Sequence, residues 1–299
     1  MTHIDPIQAI LWTIRRNEKD VIHLYDSLSA LMELTTGARM LNFGYWKGDI
    51  LSPKEAQSYL CTSVGKTAEL DTAQIIVDVG SGYGAPASQW GNEYTRPQIV
   101  CVNINGNHLT ASIQNFYHRS ENTDIDIVIP NYYKISFINS TSLALPLANE
   151  SVDRVISLES AQHFKPLSLF ISESARILRH CGLLVIAMPV TIGSRNVFKR
   201  LIKLGILNFT WSSEHYTLDY VKTTIEREKF SIIDSTMIGP QVYEPLAKYY
   251  FQNRRVLRDK ILTLYPSYVE KILSRSLLKL WNASRQGIVD YAVIKAKKY

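Results

Sequence analysis

Cysteine is scarce in this chain. The three among 299 residues, Cys61, Cys101 and Cys181, lie far apart with no CxxC spacing, so neither a disulfide framework nor a zinc site is indicated and no metal is expected. Long apolar runs are missing as well. No stretch approaches the roughly 18 residues of a membrane span. The opening MTHIDPIQAILWTIRR has no basic leader, and its apolar stretch is cut at Arg15 and Arg16. The expectation is a protein that stays in a reducing cytoplasm. Repeats and low-complexity tracts are absent. So is the Asn/Asp-Pro-Pro-aromatic signature of base amino methylation, and a net charge of +6 is too small for a broad phosphate-tracking surface; nucleic acid is not an expected partner.

What is present is an ordinary globular composition, 46% hydrophobic and 20% charged, long enough to bury a core without staples. The positive charge is uneven. Gln241 to Gly287 holds nine Lys/Arg against three Asp/Glu, an excess equal to that of the whole chain. Such a stretch is a solvated helix face or a surface drawn to an anionic substrate or membrane; a weak membrane contact and a homo-oligomer both stay open.

Apolar periodicity gives the organisation. Asp5-Pro6 starts a helix carrying Ile7, Ile10, Leu11 and Ile14, and a second helix carries Val21, Leu24, Leu28, Leu31 and Met32 up to Gly37. A polar helix from Pro53 to Leu70 follows. The pattern then changes to short continuous apolar runs, Ile75–Val79, Ile99–Ile104, Ile135–Ile138, Val152–Leu158 and Leu183–Met188, separated by helix-length stretches. This is the alternation of a doubly wound parallel α/β sheet. Residues 191–216 form an insertion with a basic amphipathic helix. A helix over Leu218–Lys229, a strand Phe230–Ile238, a long helical stretch Glu244–Trp281 broken at Pro266, and a strand Ile288–Ile294 complete the chain. The expectation is one domain over 1–299, with a helical cap over 1–50, a cofactor-binding core over 55–190, cap insertions plus a sixth strand over 191–287, and a terminal strand over 288–299.

The chemistry concentrates in Val77-Asp78-Val79-Gly80-Ser81-Gly82-Tyr83-Gly84. A strand that ends in Gly-x-Gly and feeds a helix lets backbone approach a ligand at the carboxyl edge of the sheet. With Ala85 the stretch also passes as a dinucleotide fingerprint. Asp78 separates the two: a carboxylate there opposes a pyrophosphate but attracts the ammonium group of S-adenosylmethionine (SAM). The next strand ends in Val102-Asn103-Ile104-Asn105, where an amide replaces the acid that usually meets a ribose diol. His163, in Leu158-Glu159-Ser160-Ala161-Gln162-His163 at the end of the fourth strand, is the candidate general base, since an imidazole titrates near about 6.5; a packing or capping role is its alternative. Glu159 would orient His163 or stabilise positive charge on an acceptor, or simply accept backbone amides. His215 is a second acid/base candidate, or a loop residue.

At this point the chain resembles the class I SAM-dependent small-molecule methyltransferases, in particular sugar and natural-product O-methyltransferases and prenyl or quinone-type C-methyltransferases. The resemblance rests on Leu41-Asn42-Phe43-Gly44-Tyr45-Trp46, the glycine motif, the VNIN strand end, Leu145-Pro146-Leu147 before Ser151-Val152-Asp153, and Gly182-Leu183-Leu184. It implies a Rossmann-like seven-stranded sheet of order 3-2-1-4-5-7-6 with strand 7 antiparallel and a helical cap. It also implies that Asp78, Gly80 and Gly82 hold the methionine end of SAM, Asn103 the ribose, and Thr141 and Ser142 the adenine, with Tyr45, Ser81, Ile104 and Leu158 against the cofactor. Thr141, a weaker acceptor than a carboxylate, stands where relatives usually carry Asp. The activity implied is methyl transfer to a hydroxyl of a hydrophobic small molecule, with carbon methylation of a prenyl, quinone or lipid acceptor at a membrane surface as the alternative. A non-catalytic SAM-fold protein or an NAD-dependent oxidoreductase is the reading from another class.

Overall fold

The structure is a computed structural model that describes residues 15–121, 134–193 and 214–299. The expected helix after Asp5 and the expected basic helix of the 191–216 insertion lie outside these residues. The described elements are α1 (Glu18–Thr36), α2 (Pro53–Thr67), β1 (Ile75–Val79), α3 (Ala85–Glu93), β2 (Gln98–Asn103), α4 (Gly106–Glu121), β3 (Ile135–Asn139), β4 (Val152–Leu158), α5 (Leu167–Ile177), β5 (Leu178–Thr191), α6 (Leu218–Arg227), β6 (Phe230–Met237), α7 (Gly239–Gln252), α8 (Arg254–Leu264), α9 (Ser267–Arg285) and β7 (Val289–Lys298).

The strands form one seven-stranded mixed sheet in the order β3-β2-β1-β4-β5-β7-β6. The four pairings from β3 through β5 are parallel. Strand β7 runs against both neighbours. At one end Ile238 N donates to Tyr291 O and Ile192 N to Ile288 O; at the other, Tyr299 N donates to Lys229 O and Lys298 Nζ to Leu178 O. Residue numbers therefore climb on one strand as they fall on the next. The apolar runs explain why the centre is buried on both faces: Ile76, Val77, Ile99, Val102, Val155, Ile156 and Val185 to Met188 are all enclosed.

The chain divides into two compact units. One contains residues 1–60, 189–220 and 237–292; the other contains 61–188, 221–236 and 293–299. In the first, α1, α7, α8 and α9 enclose Leu31, Tyr250, Leu257, Ile261, Tyr265 and Val269. The long helical stretch breaks at Asn253 as well as at Pro266, which sits at the N-cap of α9. In α1, Asn17 Oδ1 accepts from Asp20 N, Asp20 Oδ2 accepts from Asn17 N, and Gly37 closes the helix in the left-handed conformation.

The second unit holds β1 to β4 and all of the candidate site residues except Tyr45 and His215. Asp153 fixes the register at the lower edge of the sheet: its Oδ2 accepts from Gln74 N and Ile75 N, and its Oδ1 from Arg179. Two strands run beyond expectation: β7 continues past Ile294 to Lys298, and β5 is longer at both ends. β5 begins five residues before Leu183, because Leu178 pairs with Val152 while Leu183 pairs with Arg154. The extra residues form a bulge with Cys181 at φ 63.

Candidate active site

The carboxyl ends of β1, β2, β3 and β4 lie along one edge of the sheet, with the order reversing between β1 and β4. This is the crevice position at which open α/β sheets bind ligands. Within this unit the edge gathers Asp78, Gly80, Ser81, Gly82, Asn103, Ile104, Thr141, Ser142, Leu158, Glu159 and His163.

Asp78 sits inside β1, opposite Cys101 on one side and Ile156 on the other. It is 1% exposed, and its Oδ2 has no hydrogen-bond partner. Burial pushes its carboxyl up to about 7. Burial likewise raises the Cys101 thiol, and the Asp78 carboxylate adds to the effect. Leaving a buried carboxylate oxygen unmatched is costly, so this site is incomplete without a cation or donor.

The glycine turn is held from beneath. Gly80 N and Ser81 N both donate to Val102 O, at 2.7 and 3.2 Å. Gly80, Gly82 and Gly84 have φ values of 79, 55 and 68, which other residues adopt only at a cost. At Gly80 there is a second requirement. A Cβ there would overlap the Ser160 side chain, standing 2.6 Å from its Oγ. Ser160 Oγ in turn donates to Val79 O at 2.6 Å and lies 2.6 Å from Ser157 Oγ. Gly80 thus lets the loop after β4 close onto the end of β1.

That loop brings the catalytic candidates in. Glu159 is buried and takes φ 52, a strained conformation for a residue with a side chain. Its backbone N donates to Ala187 O and its carbonyl accepts from Gln162 Nε2 at 2.7 Å. The short 3-10 turn Ala161–His163 follows, and His163 is half-buried at its end. Leu158 is buried as the last residue of β4.

At the end of β2, Asn103 is buried, with long 3.4 Å contacts from its Nδ2 to Gly82 O and Asn105 O. Asn139 Nδ2 donates to Asn103 O and Ile104 O. Asn105 caps α4, its Oδ1 accepting from Asn107 N and His108 N. Beyond β3, Thr141 Oγ1 accepts from Leu143 N at 3.2 Å, and Ser142 is buried.

Two sequence candidates belong to the other unit. Tyr45 donates its backbone N to Ala56 O, with its ring 5.3 Å from Tyr59. His215 is buried at φ 50, and its carbonyl accepts from Thr191 Oγ1.

Sequence reasoning passed over His108 as uninformative. It is buried, and its ring stacks 4.1 Å from that of Tyr83 inside the glycine motif. It also missed the Ser157–Ser160 pair. An unexplained polar residue just inside a helix, or at a strand end facing a glycine, was the only signal available for either.

Comparison with known proteins bears on the same stretch, since a methyltransferase-domain family matches residues 77–186. Over that stretch the chain is similar to a methyltransferase domain. It is 27% identical over 185 residues to the erythromycin 3''-O-methyltransferase of Saccharopolyspora erythraea, a match covering 62% of this chain and 57% of that protein. The cyclopropane synthase MmaA2 from Mycobacterium tuberculosis shares the fold with a TM-score of 0.75 at 15% identity, over 94% of this chain and 99% of that one. The cyclase SpnF shares it with a TM-score of 0.72 at 16% identity, over 94% and 96%. Residues present here fit SAM: the unmatched Asp78 oxygen answers an ammonium group, and a turn with three left-handed glycines gives close backbone approach. Among the described residues no cluster of His, Cys, Asp and Glu suits a metal ion. No described helix is long and apolar enough to cross a membrane.

Proposed function

We propose that this chain is a methyltransferase that moves a methyl group from SAM to a hydroxyl of a hydrophobic small molecule. The observation that carries the reading is the buried, unmatched Asp78 oxygen behind the glycine turn. Asp78 accepts from the ammonium group, and the Gly80 to Gly82 backbone passes beside the methionine chain. Asn103 offers its amide to the ribose, and Thr141 and Ser142 meet the adenine edge; Leu158 and Ile104 supply apolar contact.

SAM supplies an electrophilic methyl carbon: the C–S bond breaks as a C–O bond forms, leaving S-adenosylhomocysteine. The chain's own work is to hold the acceptor in line and remove its proton. His163 takes that proton on its imidazole. Glu159, held in a strained conformation at the end of β4, orients His163. The likeness to the erythromycin 3''-O-methyltransferase supports a natural-product acceptor.

The test is calorimetric titration with SAM, S-adenosylhomocysteine and NAD. Binding of the first two and not the third is expected; no signal for either sulfur ligand ends the proposal. A transferase assay on polyketide and sugar hydroxyl acceptors with His163→Ala tests the base. If this variant kept full turnover, His163 would not be the base.

A further inference from the structure

The helical unit carries a feature that methyl transfer does not use. Helices α8 and α9 hold eight Lys/Arg and two acids, Asp259 and Glu270. Glu270, the single acid of α9, is buried and occupied. Its Oε1 accepts from Arg254 Nε at 2.8 Å and from Tyr250 OH at 3.0 Å. The remaining charge on α9 is therefore positive and turned outward.

Helical spacing sorts that surface further. Tyr268, Lys271, Ile272, Arg275, Leu278 and Lys279 fall within about a third of the helix circumference at 3.6 residues per turn; Lys279 is half-buried and the other five are exposed. Tyr268, Ile272 and Leu278 are 40%, 41% and 44% exposed. Each is a large apolar body that a purely solvated face has no reason to present three times. Beside them is a groove of about 300 Å³ lined by Phe251, Arg254, Lys271, Ser274, Arg275 and Leu278. Three guanidinium or ammonium groups thus surround a pocket with apolar walls.

We infer that the outer face of α9, with this groove, docks onto an anionic lipid bilayer, the groove receiving a phosphate headgroup. Charge complementarity selects an anionic partner. The interleaved apolar residues select a bilayer over an acidic protein, because a membrane interface takes cations and apolar side chains together without position-specific partners. The face extends roughly 20 Å along the helix axis at 1.5 Å per residue, and it is acid-free throughout. This inference does not rest on the reading of the glycine motif, and the two fail separately.

The test is co-sedimentation of the full chain with vesicles of phosphatidylcholine plus phosphatidylglycerol and with vesicles of phosphatidylcholine alone, alongside SAM titration of the same samples. Expected is binding to the anionic vesicles only, weakened by salt. The triple variant Lys271→Glu/Arg275→Glu/Lys279→Glu loses at least roughly tenfold in partitioning. Ile272→Ser/Leu278→Ser weakens binding while keeping the salt dependence. An unchanged thermal midpoint and unchanged SAM affinity show that these surface variants are folded. Equal binding to neutral vesicles, or full binding by the triple variant, overturns the inference. So does release by inorganic phosphate at constant ionic strength, which reduces the groove to a free-anion pocket. Retention by polyglutamate without vesicle binding assigns the face to an acidic protein instead.

Discussion

A carboxylate at position 78 is expensive where it stands, since it is enclosed among Cys101, Ile156 and the strands of the sheet with one oxygen unmatched. Replacing it by a neutral isostere relieves that expense and removes the partner for an ammonium group. Asp78→Asn therefore leaves the free protein at least as stable near pH 8 while weakening SAM binding. A hydrogen bond to a charged group is worth roughly 1.5–3 kcal/mol, on the order of tenfold to a hundredfold in affinity. Thermal unfolding and calorimetry on the same preparation check both signs. A variant that is less stable and binds SAM normally makes Asp78 structural. At His163 the expected signature is different. His163→Ala lowers kcat on the order of a hundredfold or more, as the loss of a general base does, with SAM affinity unchanged. If affinity and turnover fell together, the residue would be positioning the cofactor. Asp78 was legible in the sequence because its charge discriminates between two ligands. His108 was not, because its stacking on Tyr83 depends on how the turn folds over α4.

At the scale of elements, strands and glycines carry most of what the sequence disclosed. β1, β3 and β4 begin where their apolar runs begin, since a strand buried on both faces needs continuous hydrophobicity. β5 starts earlier than its run because Leu178 pairs with Val152 ahead of a bulge that carries left-handed Cys181, and bulges leave no periodic trace. Gly80 was expected to serve the ligand; its Cβ direction shows that it also serves the loop after β4. Gly80→Ala thus combines an unfavourable φ with a collision at Ser160. It is expected to cost about 1–3 kcal/mol and to displace Glu159 and His163 together, lowering turnover more than the stability loss explains. The companion Gly80→Ala/Ser160→Gly, which removes the Ser160 Cβ that stands 2.3 Å away, checks the cause: partial recovery of activity is expected, and none is expected if φ alone is at fault. A second element-level clamp is Arg176. It donates to Leu145 O, Leu147 O and Asn149 Oδ1, while its partner Glu173 accepts from Leu145 N. These bonds hold the loop that follows Thr141 and Ser142. The ion pair itself is partly exposed and counts for little; the carbonyl bonds matter more. Arg176→Gln is expected to cost about 1 kcal/mol and to raise the SAM dissociation constant several-fold with kcat at saturation unchanged. Denaturant titration and steady-state kinetics read out the split.

At the scale of the whole molecule, the chain order of the elements was readable, but the interleaving of two compact units was not, because each unit is assembled from three separated stretches and no linker composition marks the joins. Acid and base behaviour is a property of the sum. Asp153, Glu173 and Glu270 are held below the ordinary carboxyl range: Asp153 by the Ile75 and Gln74 amides and then Arg179, against burial; Glu173 by Arg176; Glu270 by Arg254. Each contributes stability that is present above its unfolded pKa and is lost as pH falls through its lower folded value. Asp78 has the opposite sign. Its folded pKa of about 7 lies above its ordinary 3.8, so between those values the folded state keeps a proton that the unfolded chain has released. Stability therefore declines as pH rises through that window, by at most about 1.4 kcal/mol per unit, and is flat above it. The ammonium group of SAM or S-adenosylhomocysteine favours the ionised carboxylate, so binding must expel the Asp78 proton below pH about 7. Affinity then falls about tenfold for each unit of pH below that value. The expected result of differential scanning fluorimetry with and without S-adenosylhomocysteine is a ligand-induced shift that grows with pH up to about 7 and then levels. In Asp78→Asn the same shift is small at every pH. Calorimetry in buffers of different ionisation enthalpy counts the released proton directly. A ligand-induced shift independent of pH, with no proton released, means that the ammonium group is held elsewhere and that Asp78 is a buried acid without a part in cofactor binding.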